Sequence, residues 1–441
     1  MLENNNIERV VDQCLCTSCG TCVYVCPSNA VRMKETSGGL LIAEVNKADC
    51  NACGLCLQVC PGDHLSEGIL HHQVDPFKGR VLAAFCGKAT NSKFLQNGQS
   101  GGIATALLCF LLDVGIIQKA LVTDMPENGS LRTMCRLTAD KKQIIQAQGS
   151  KYCPVALNSF LPKTKEWQNL KFAVVGLPCH FHGLRNFLLL HNDLQPPLLI
   201  GLICERIMSF AAIDYLIEKS GFPQNNVNVF RYRDKLFGGW PGNVSVKSKD
   251  NKAASVSNKH RYWCKAFFTP LRCHLCFDKM NIFCDIMLGD AWGVKEEKEG
   301  CSVILSRTAK GLDIIEKACK AGVIQVEEIN PEAVFKGQHI GKKRRDWTIF
   351  TSMWKTAEKK TPDFGIQAGI YSDISKVSFK DYQRAMDRAK RLSTMSSRDE
   401  LLKIVRRKYL YNSIIKQPFY FIRRVKNRML RLLNFFVKAS K

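Results

Sequence analysis

Eight cysteines stand in two runs of one pattern, Cys16-x2-Cys19-x2-Cys22-x3-Cys26-Pro27 and Cys50-x2-Cys53-x2-Cys56-x3-Cys60-Pro61. Three thiolates at this spacing close a tight loop round an iron-sulfur cube, and the fourth, fixed by the proline after it, reaches the cube of the other run. The pattern predicts two [4Fe-4S] clusters, one on Cys16, Cys19, Cys22 and Cys60, the other on Cys50, Cys53, Cys56 and Cys26. Zinc sites and unliganded core thiols are the competing readings, and neither demands this spacing twice. Cys14, just outside the first run, reads as a spare buried thiol. Further on, Cys273-x2-Cys276, with Cys284 nearby and Cys179 and Cys204 at the ends of candidate strands, supplies enough thiols for a third cluster. A two-cysteine loop alone fits zinc or a redox dithiol as well.

A second kind of chemistry is suggested by small residues at helix starts. Ser100, Gly101 and Gly102 open an apolar helix that carries Thr105, and a candidate strand runs through Gly176 into Leu177-Pro178-Cys179 and a further helix. Glycines let a phosphate approach the backbone, and the free N–H groups of a helix start attract it. Two such cradles at strand ends suit a dinucleotide such as FAD. Gly149-Ser150-Lys151-Tyr152 adds a cation and an aromatic ring, although a solvated lysine and a packed tyrosine would look the same. His180 follows the second cradle and titrates near working pH, so it is a candidate proton donor. Packing on the helix accounts for a histidine there more readily, since it needs no special task.

The elements that must position these groups fall into four segments. Residues 1–75 read as a small, internally repeated module with short strands between the cysteine loops. His64, His71 and His72 lie at its end, where a solvated linker explains them better than a metal does. Residues 79–205 and 206–340 show apolar runs alternating with helical patterns, the texture of an α/β core. Residues 341–441 turn basic and helical. Expected strands include Leu82 to Phe85, Phe172 to Gly176, Leu198 to Cys204, Phe283 to Leu288 and Ser302 to Ser306; expected helices include Ile103 to Leu112, His180 to His191 and Ala309 to Ala321. The fold class is α+β: a ferredoxin-like 2[4Fe-4S] module, an α/β flavin-binding core and a helical basic C-terminal tail.

Of the net charge of +25, twelve charges lie in the last 41 residues, which hold no Asp or Glu. Ser397-x-x-Glu400 has the form of a capping box, and Pro418 sits where a helix can begin. Ile422, Val425, Met429, Leu432, Leu433 and Phe436 recur every three or four residues among arginines and lysines, giving a basic amphipathic helix. An anionic membrane surface, a partner protein or this chain's own core would each fit it. Such charge draws acidic partners; no helix-turn-helix, zinc-finger or ribonucleoprotein pattern points to nucleic acid. With no leader sequence, no spanning stretch and 21 cysteines, a cytoplasmic protein, peripheral at most to the inner face of the membrane, is expected.

The sequence resembles the coenzyme F-420 hydrogenase/dehydrogenase beta-subunit family of iron-sulfur flavoproteins, from the cysteine module to about residue 340. The resemblance is carried by Ser100-Gly101-Gly102 with Thr105, Gly149-Ser150-Lys151-Tyr152, Gly176-Leu177-Pro178-Cys179, Gly201-Leu202-Ile203-Cys204, Arg233-Asp234-Lys235 with Gly239-Trp240, Cys273-x2-Cys276, and Asp285-Ile286 with Gly289-Asp290-Ala291-Trp292-Gly293. It implies FAD, at least one adjacent [4Fe-4S] cluster, and reduction or oxidation of a small organic substrate or a deazaflavin coenzyme. Lys151 and Arg233 are then candidates to meet phosphate or reduced-flavin charge. Where the family form reads Gly-Thr-Pro-Cys-Gln, this chain has Leu177 and His180, and Glu205-Arg206 replaces a common His-Gly. Clusters move single electrons and organic substrates take two, so a flavin between them reconciles the count. Without a nicotinamide fingerprint, reduced ferredoxin or another acidic carrier is the expected donor. The alternative is an electron-transfer subunit that feeds a partner enzyme and has no substrate of its own.

Overall fold

The computed structural model describes residues 5–66, 74–366, 379–395 and 397–411. His71, His72, Pro418 and the amphipathic stretch from Ile422 to Phe436 lie outside these. The chain divides into two compact units, Met1–Thr394 and Met395–Lys441. Among the described residues no helix is long and apolar enough to cross a membrane.

The cysteine module is built from β1 (Val31–Glu35) and β2 (Leu41–Val45), an antiparallel pair, and two short helices, Thr21–Val25 and Leu55–Gln58. Both helices are entered in the same way. Ser18 and Gly20 before the first, and Ala52 and Gly54 before the second, all have positive φ, so the internal repeat is written in the backbone as well as in the thiols.

The core of the first unit is one eight-stranded sheet. Its strands are β3 (Ala83–Ala89), β4 (Lys119–Asp124), β5 (Met134–Thr138), β6 (Phe172–Gly176), β7 (Leu198–Leu202), β11 (Ile286–Asp290), β12 (Ser302–Ser306) and β13 (Ile324–Glu328). Their spatial order is β13-β3-β12-β11-β7-β6-β4-β5. The centre, β4-β6-β7-β11, is parallel, and the outer pairings are antiparallel. Continuous apolar runs produce this: Phe172, Ala173 and Val174 of β6 and Leu198, Leu199 and Ile200 of β7 are all buried, as strands covered on both faces must be. Strands from both sides of residue 205 interleave in this sheet. A second sheet, β8 (Val227–Asp234), β9 (Asn243–Ser248) and β10 (Ala253–Val256), is antiparallel throughout.

The predicted basic tail at 341–441 begins too early. The helix Ile340–Thr356 buries Trp347, Ile349 and Phe350, and Trp347 Nε1 donates to the Leu275 carbonyl at 3.0 Å. The helix Phe379–Thr394 buries Met386, Ala389 and Leu392 and also belongs to the first unit. Each carries an apolar stripe that flanking lysines and arginines mask in a composition count. In the second unit the helix Arg398–Leu410 starts directly after Ser397, as the capping pattern anticipates, but the Ser397 side chain makes no capping bond.

Candidate functional site

Twelve of the chain's cysteines gather in three quartets, in which Cys19, Cys22, Cys56 and Cys60 are buried. Burial pushes the Cys22 thiol well above its ordinary pKa, and the neighbouring Cys19, Cys16, Cys60 and Cys56 push it further. Cys60, likewise raised by burial, feels Cys19 and Cys16. Burial also raises Cys56, whose sulfur neighbours are Cys53, Cys26 and Cys50. The fourth cysteine of each run therefore sits with the first three of the other, the crosswise arrangement read from the spacing. Cys53 is the exposed member of the second quartet.

The third quartet is made by the sheet. β6 and β7 are parallel neighbours with Gly176 opposite Gly201, so the segments leaving their carboxyl ends bring Cys179 and Cys204 together. Pro178 occupies the first turn of the helix Pro178–Leu190, which puts Cys179 on that helix, two residues earlier than the predicted start at His180. Asn281 then staples the 273–284 loop across the strand ends: its Nδ2 donates to the Gly176 carbonyl at 2.9 Å and the Leu202 carbonyl at 3.2 Å. Cys204 N donates to the Lys279 carbonyl in the same loop. As a result Cys179, raised well above its usual pKa by burial, feels Cys204, Cys276 and Cys273, and it also feels Cys19 of the first quartet. Cys284 stands apart, with its sulfur on the Asn281 carbonyl at 2.9 Å.

Burial and neighbouring sulfurs raise Cys22, Cys56, Cys60, Cys179, Cys204 and Cys273, and a cationic iron core would relieve both, so the donor sets fit cubane clusters. Among the described residues no three His, Cys, Asp or Glu side chains converge tightly enough for a single metal ion. The quartets run in series, joined by the proximity of Cys22 to Cys56 and of Cys19 to Cys179.

A shallow cleft opens beside Asn97, Gln99, Gln148, Gly149, Ser150 and Lys151, with β8 on its other side. Lys151 Nζ donates to the Ala147 and Gln148 carbonyls, and burial lowers its pKa to about 8. Gln99 Oε1 and Gln148 Oε1 are buried here without a hydrogen-bond partner among the described residues. Two orphaned acceptors and a cation suit a polar, anionic cofactor with N–H or hydroxyl donors, which FAD has.

Two of the sequence-predicted roles change. His180, 3% exposed, accepts from Leu177 N at its Nδ1 (3.1 Å), and its Nε2 meets the Val155 carbonyl (3.1 Å). Burial lowers its pKa to about 4, so it is a neutral helix-start brace and not a proton donor. Arg233 is not free to meet phosphate. Its guanidinium holds Asp290 with two contacts (2.6 and 2.9 Å), the Gln99 and Pro241 carbonyls (2.8 and 2.6 Å) and the Tyr152 hydroxyl (3.2 Å).

The Ser100-Gly101-Gly102 turn is closed against the sheet: Ser100 Oγ donates to the Cys301 carbonyl at 2.6 Å and Gly101 N to Ser302 Oγ at 2.9 Å. A Cβ on Gly101 would lie 2.5 Å from the Gly87 carbonyl oxygen. Thr105 is buried on the following helix, and Gly176 and Pro178 are buried at the β6 end. Sequence reasoning gave no role to Asn281, Asn158 or Asp278. A lone buried amide or carboxylate has no periodic or spacing signature.

An α/β sheet with a cysteine quartet at its strand ends, preceded by a ferredoxin-type module, defines an iron-sulfur protein of the electron-transfer class. Residues 15–63 match the 4Fe-4S dicluster domain. Residues 84–162 and 169–332 match the N-terminal and C-terminal models of the coenzyme F420 hydrogenase/dehydrogenase beta subunit, and the chain belongs to this family. An uncharacterised protein of Methanocaldococcus jannaschii is 26% identical over 370 residues, 76% of this chain and 96% of its own. The coenzyme F420 hydrogenase subunit beta of Methanosarcina barkeri is 23% identical over 67% of this chain and 97% of its own. The coenzyme F420-dependent sulfite reductase of M. jannaschii is 25% identical over 80% of this chain and 54% of its own. A solved chain of the F420-reducing [NiFe] hydrogenase complex from M. barkeri shares the fold, with TM-score 0.51 and 21% identity over 64% of this chain and 94% of that one.

Proposed function

We propose that this chain is an iron-sulfur flavoprotein oxidoreductase that accepts electrons from a low-potential donor such as reduced ferredoxin and delivers them to a small organic substrate or a deazaflavin coenzyme. The observation that carries this is the serial order of the thiol quartets. It starts at exposed Cys53, passes from Cys56 to Cys22 and from Cys19 to Cys179, and ends where β6 and β7 finish. Cys16, Cys19, Cys22 and Cys60 would hold one [4Fe-4S] cluster, Cys50, Cys53, Cys56 and Cys26 a second, and Cys179, Cys204, Cys273 and Cys276 a third. FAD, when bound, gathers single electrons into a pair for hydride chemistry.

The chain's own residues bind and exclude. Lys151 offers positive charge to the cleft, Gln99 and Gln148 offer acceptors, and Arg233, held by Asp290, forms part of its wall. The oxidoreductase names of the relatives, a sulfite reductase and a formate dehydrogenase subunit among them, support reductase or dehydrogenase chemistry. Anaerobically reconstituted protein is expected to hold FAD and about twelve iron atoms. Eight irons and no flavin would remove the third cluster and the flavoprotein reading together.

A second reading, an electron-transfer subunit without a substrate of its own, is favoured by relatives named as subunits of larger enzymes. Truncation after Asp399 separates the two. Activity lost only in the presence of the partner supports the subunit reading.

A further inference from the structure

One wholly buried amide stands between the loop of Cys19 and the helix of Cys179. Asn158, 0% exposed, lies in the turn Leu157–Phe160, and its N–H donates to the Cys19 carbonyl at 2.9 Å. Its side-chain nitrogen is 2.8 Å from the His180 carbonyl oxygen and 2.8 Å from Thr21 Oγ1. Thr21 Oγ1 is in turn 3.3 Å from Cys19 Sγ.

These contacts fix the proton directions. A main-chain carbonyl only accepts, so the atom of Asn158 that faces His180 is the amide nitrogen. One of its hydrogens serves that carbonyl and the other serves Thr21 Oγ1. Thr21 then has its own hydrogen to give, and the Cys19 sulfur lies in reach to take it. Asn158 Oδ1 is buried with no partner among the described residues, a cost that an apolar side chain of the same shape would avoid. The two amide hydrogens are what such a side chain would lack.

We propose that Asn158 and Thr21 form a directed hydrogen-bond relay that is anchored on the His180 carbonyl and runs from the Asn158 amide through the Thr21 hydroxyl to the Cys19 sulfur. The relay raises the reduction potential of the cluster on Cys16, Cys19, Cys22 and Cys60 and holds that loop against the Cys179 helix. This rests on the cluster reading above. Hydrogen bonds to the sulfurs are among the determinants of cluster potential, and partners behind the first ligand orient it. Both are positioning residues. The fit between the two loops is close enough to need this: a Cβ on Gly183 would lie 2.3 Å from Thr21 Oγ1.

The test is a potentiometric titration of the full, anaerobically reconstituted chain followed by electron paramagnetic resonance, with iron counted in each sample. Thr21→Val is expected to shift one midpoint to lower potential by about tenfold in the one-electron equilibrium, roughly 59 mV. Thr21→Ser, which keeps the hydroxyl, is expected to restore it. Asn158→Asp is expected to shift the same midpoint downward, because its carboxylate takes the Thr21 hydrogen. An unmoved midpoint in iron-replete Thr21→Val overturns the relay alone, and this pair decides even if Asn158 variants fail to fold. A reduced wild-type chain with no iron and no paramagnetic signal overturns the cluster reading and the relay with it.

Discussion

Asp290, the last residue of β11, receives both terminal nitrogens of Arg233 and the indole N–H of Trp240 at 2.8 Å, so one carboxylate ties β8, the β8–β9 connection and the central sheet together. The guanidinium is 3% exposed and the carboxylate 18%. Removing one member of such a pair leaves the other charge buried. Arg233→Met is therefore expected to destabilise the chain by roughly 3 to 5 kcal/mol, measured by chemical unfolding. Asp290→Asn, which leaves Arg233 charged and under-paired, should also destabilise.

Replacing Cys204 or Cys273 with Ser should reduce the iron content from about twelve atoms to about eight. The signals of the two N-terminal clusters should persist, since their ligands lie on a different module. Iron analysis and low-temperature paramagnetic resonance check this. Loss of all iron would mean that the three quartets mature as one.

His180→Gln should change acid stability and leave turnover intact. The folded pKa of His180, about 4, lies below the unfolded value near 6.5. Between these values the unfolded chain binds the extra proton, so stability falls as pH drops from about 6.5 toward 4 and is unaffected above that window. Glutamine can accept from Leu177 N and donate to the Val155 carbonyl without titrating. The variant should show a flatter unfolding midpoint across the window.

Lys151 titrates on the alkaline side of neutrality. With a folded pKa of about 8 it is charged at neutral pH and loses its charge as pH rises through that value. If the cleft binds the flavin's anionic groups, wild-type affinity should weaken above about pH 8, while Lys151→Met should bind weakly and without that dependence. Flavin release measured across pH 7 to 9 reads the outcome.

Gly20→Ala should separate the module from the core. Gly20 has φ of 83°, and a Cβ there would lie 2.3 Å from Ser159 Oγ and 3.0 Å from Ser159 N. Gly221, with φ of 81° and nothing within 4 Å, is the control. Both alanines bear the left-handed cost of about 1 to 2 kcal/mol, and only Gly20→Ala should also perturb the Cys19 cluster in a spectrum of the reconstituted protein.

Much of this architecture was legible in the sequence because it follows short-range rules. The crosswise quartets follow from Cys-x2-Cys spacing, and β6, β7 and β12 follow from unbroken apolar runs. β5 was missed because Met134 is exposed and Arg136 interrupts the run on this edge strand. The partners of His180 and Arg233 were not legible for a different reason. Residue type announces a titratable or cationic group, but the Val155, Gln99 and Pro241 carbonyls that engage these two side chains come from elsewhere in the chain. No local pattern gives that information.

The position of β3 in the sheet has a consequence for synthesis. Its two hydrogen-bonded neighbours, β12 and β13, come from residues 302–328, more than two hundred positions downstream. As the nascent chain leaves the ribosome, the ferredoxin-type module emerges long before its neighbouring layer can close, and pairings of such sequence separation form slowly. The sheet edge offered by β3 thus stays unpaired until residues 302–328 have been synthesised.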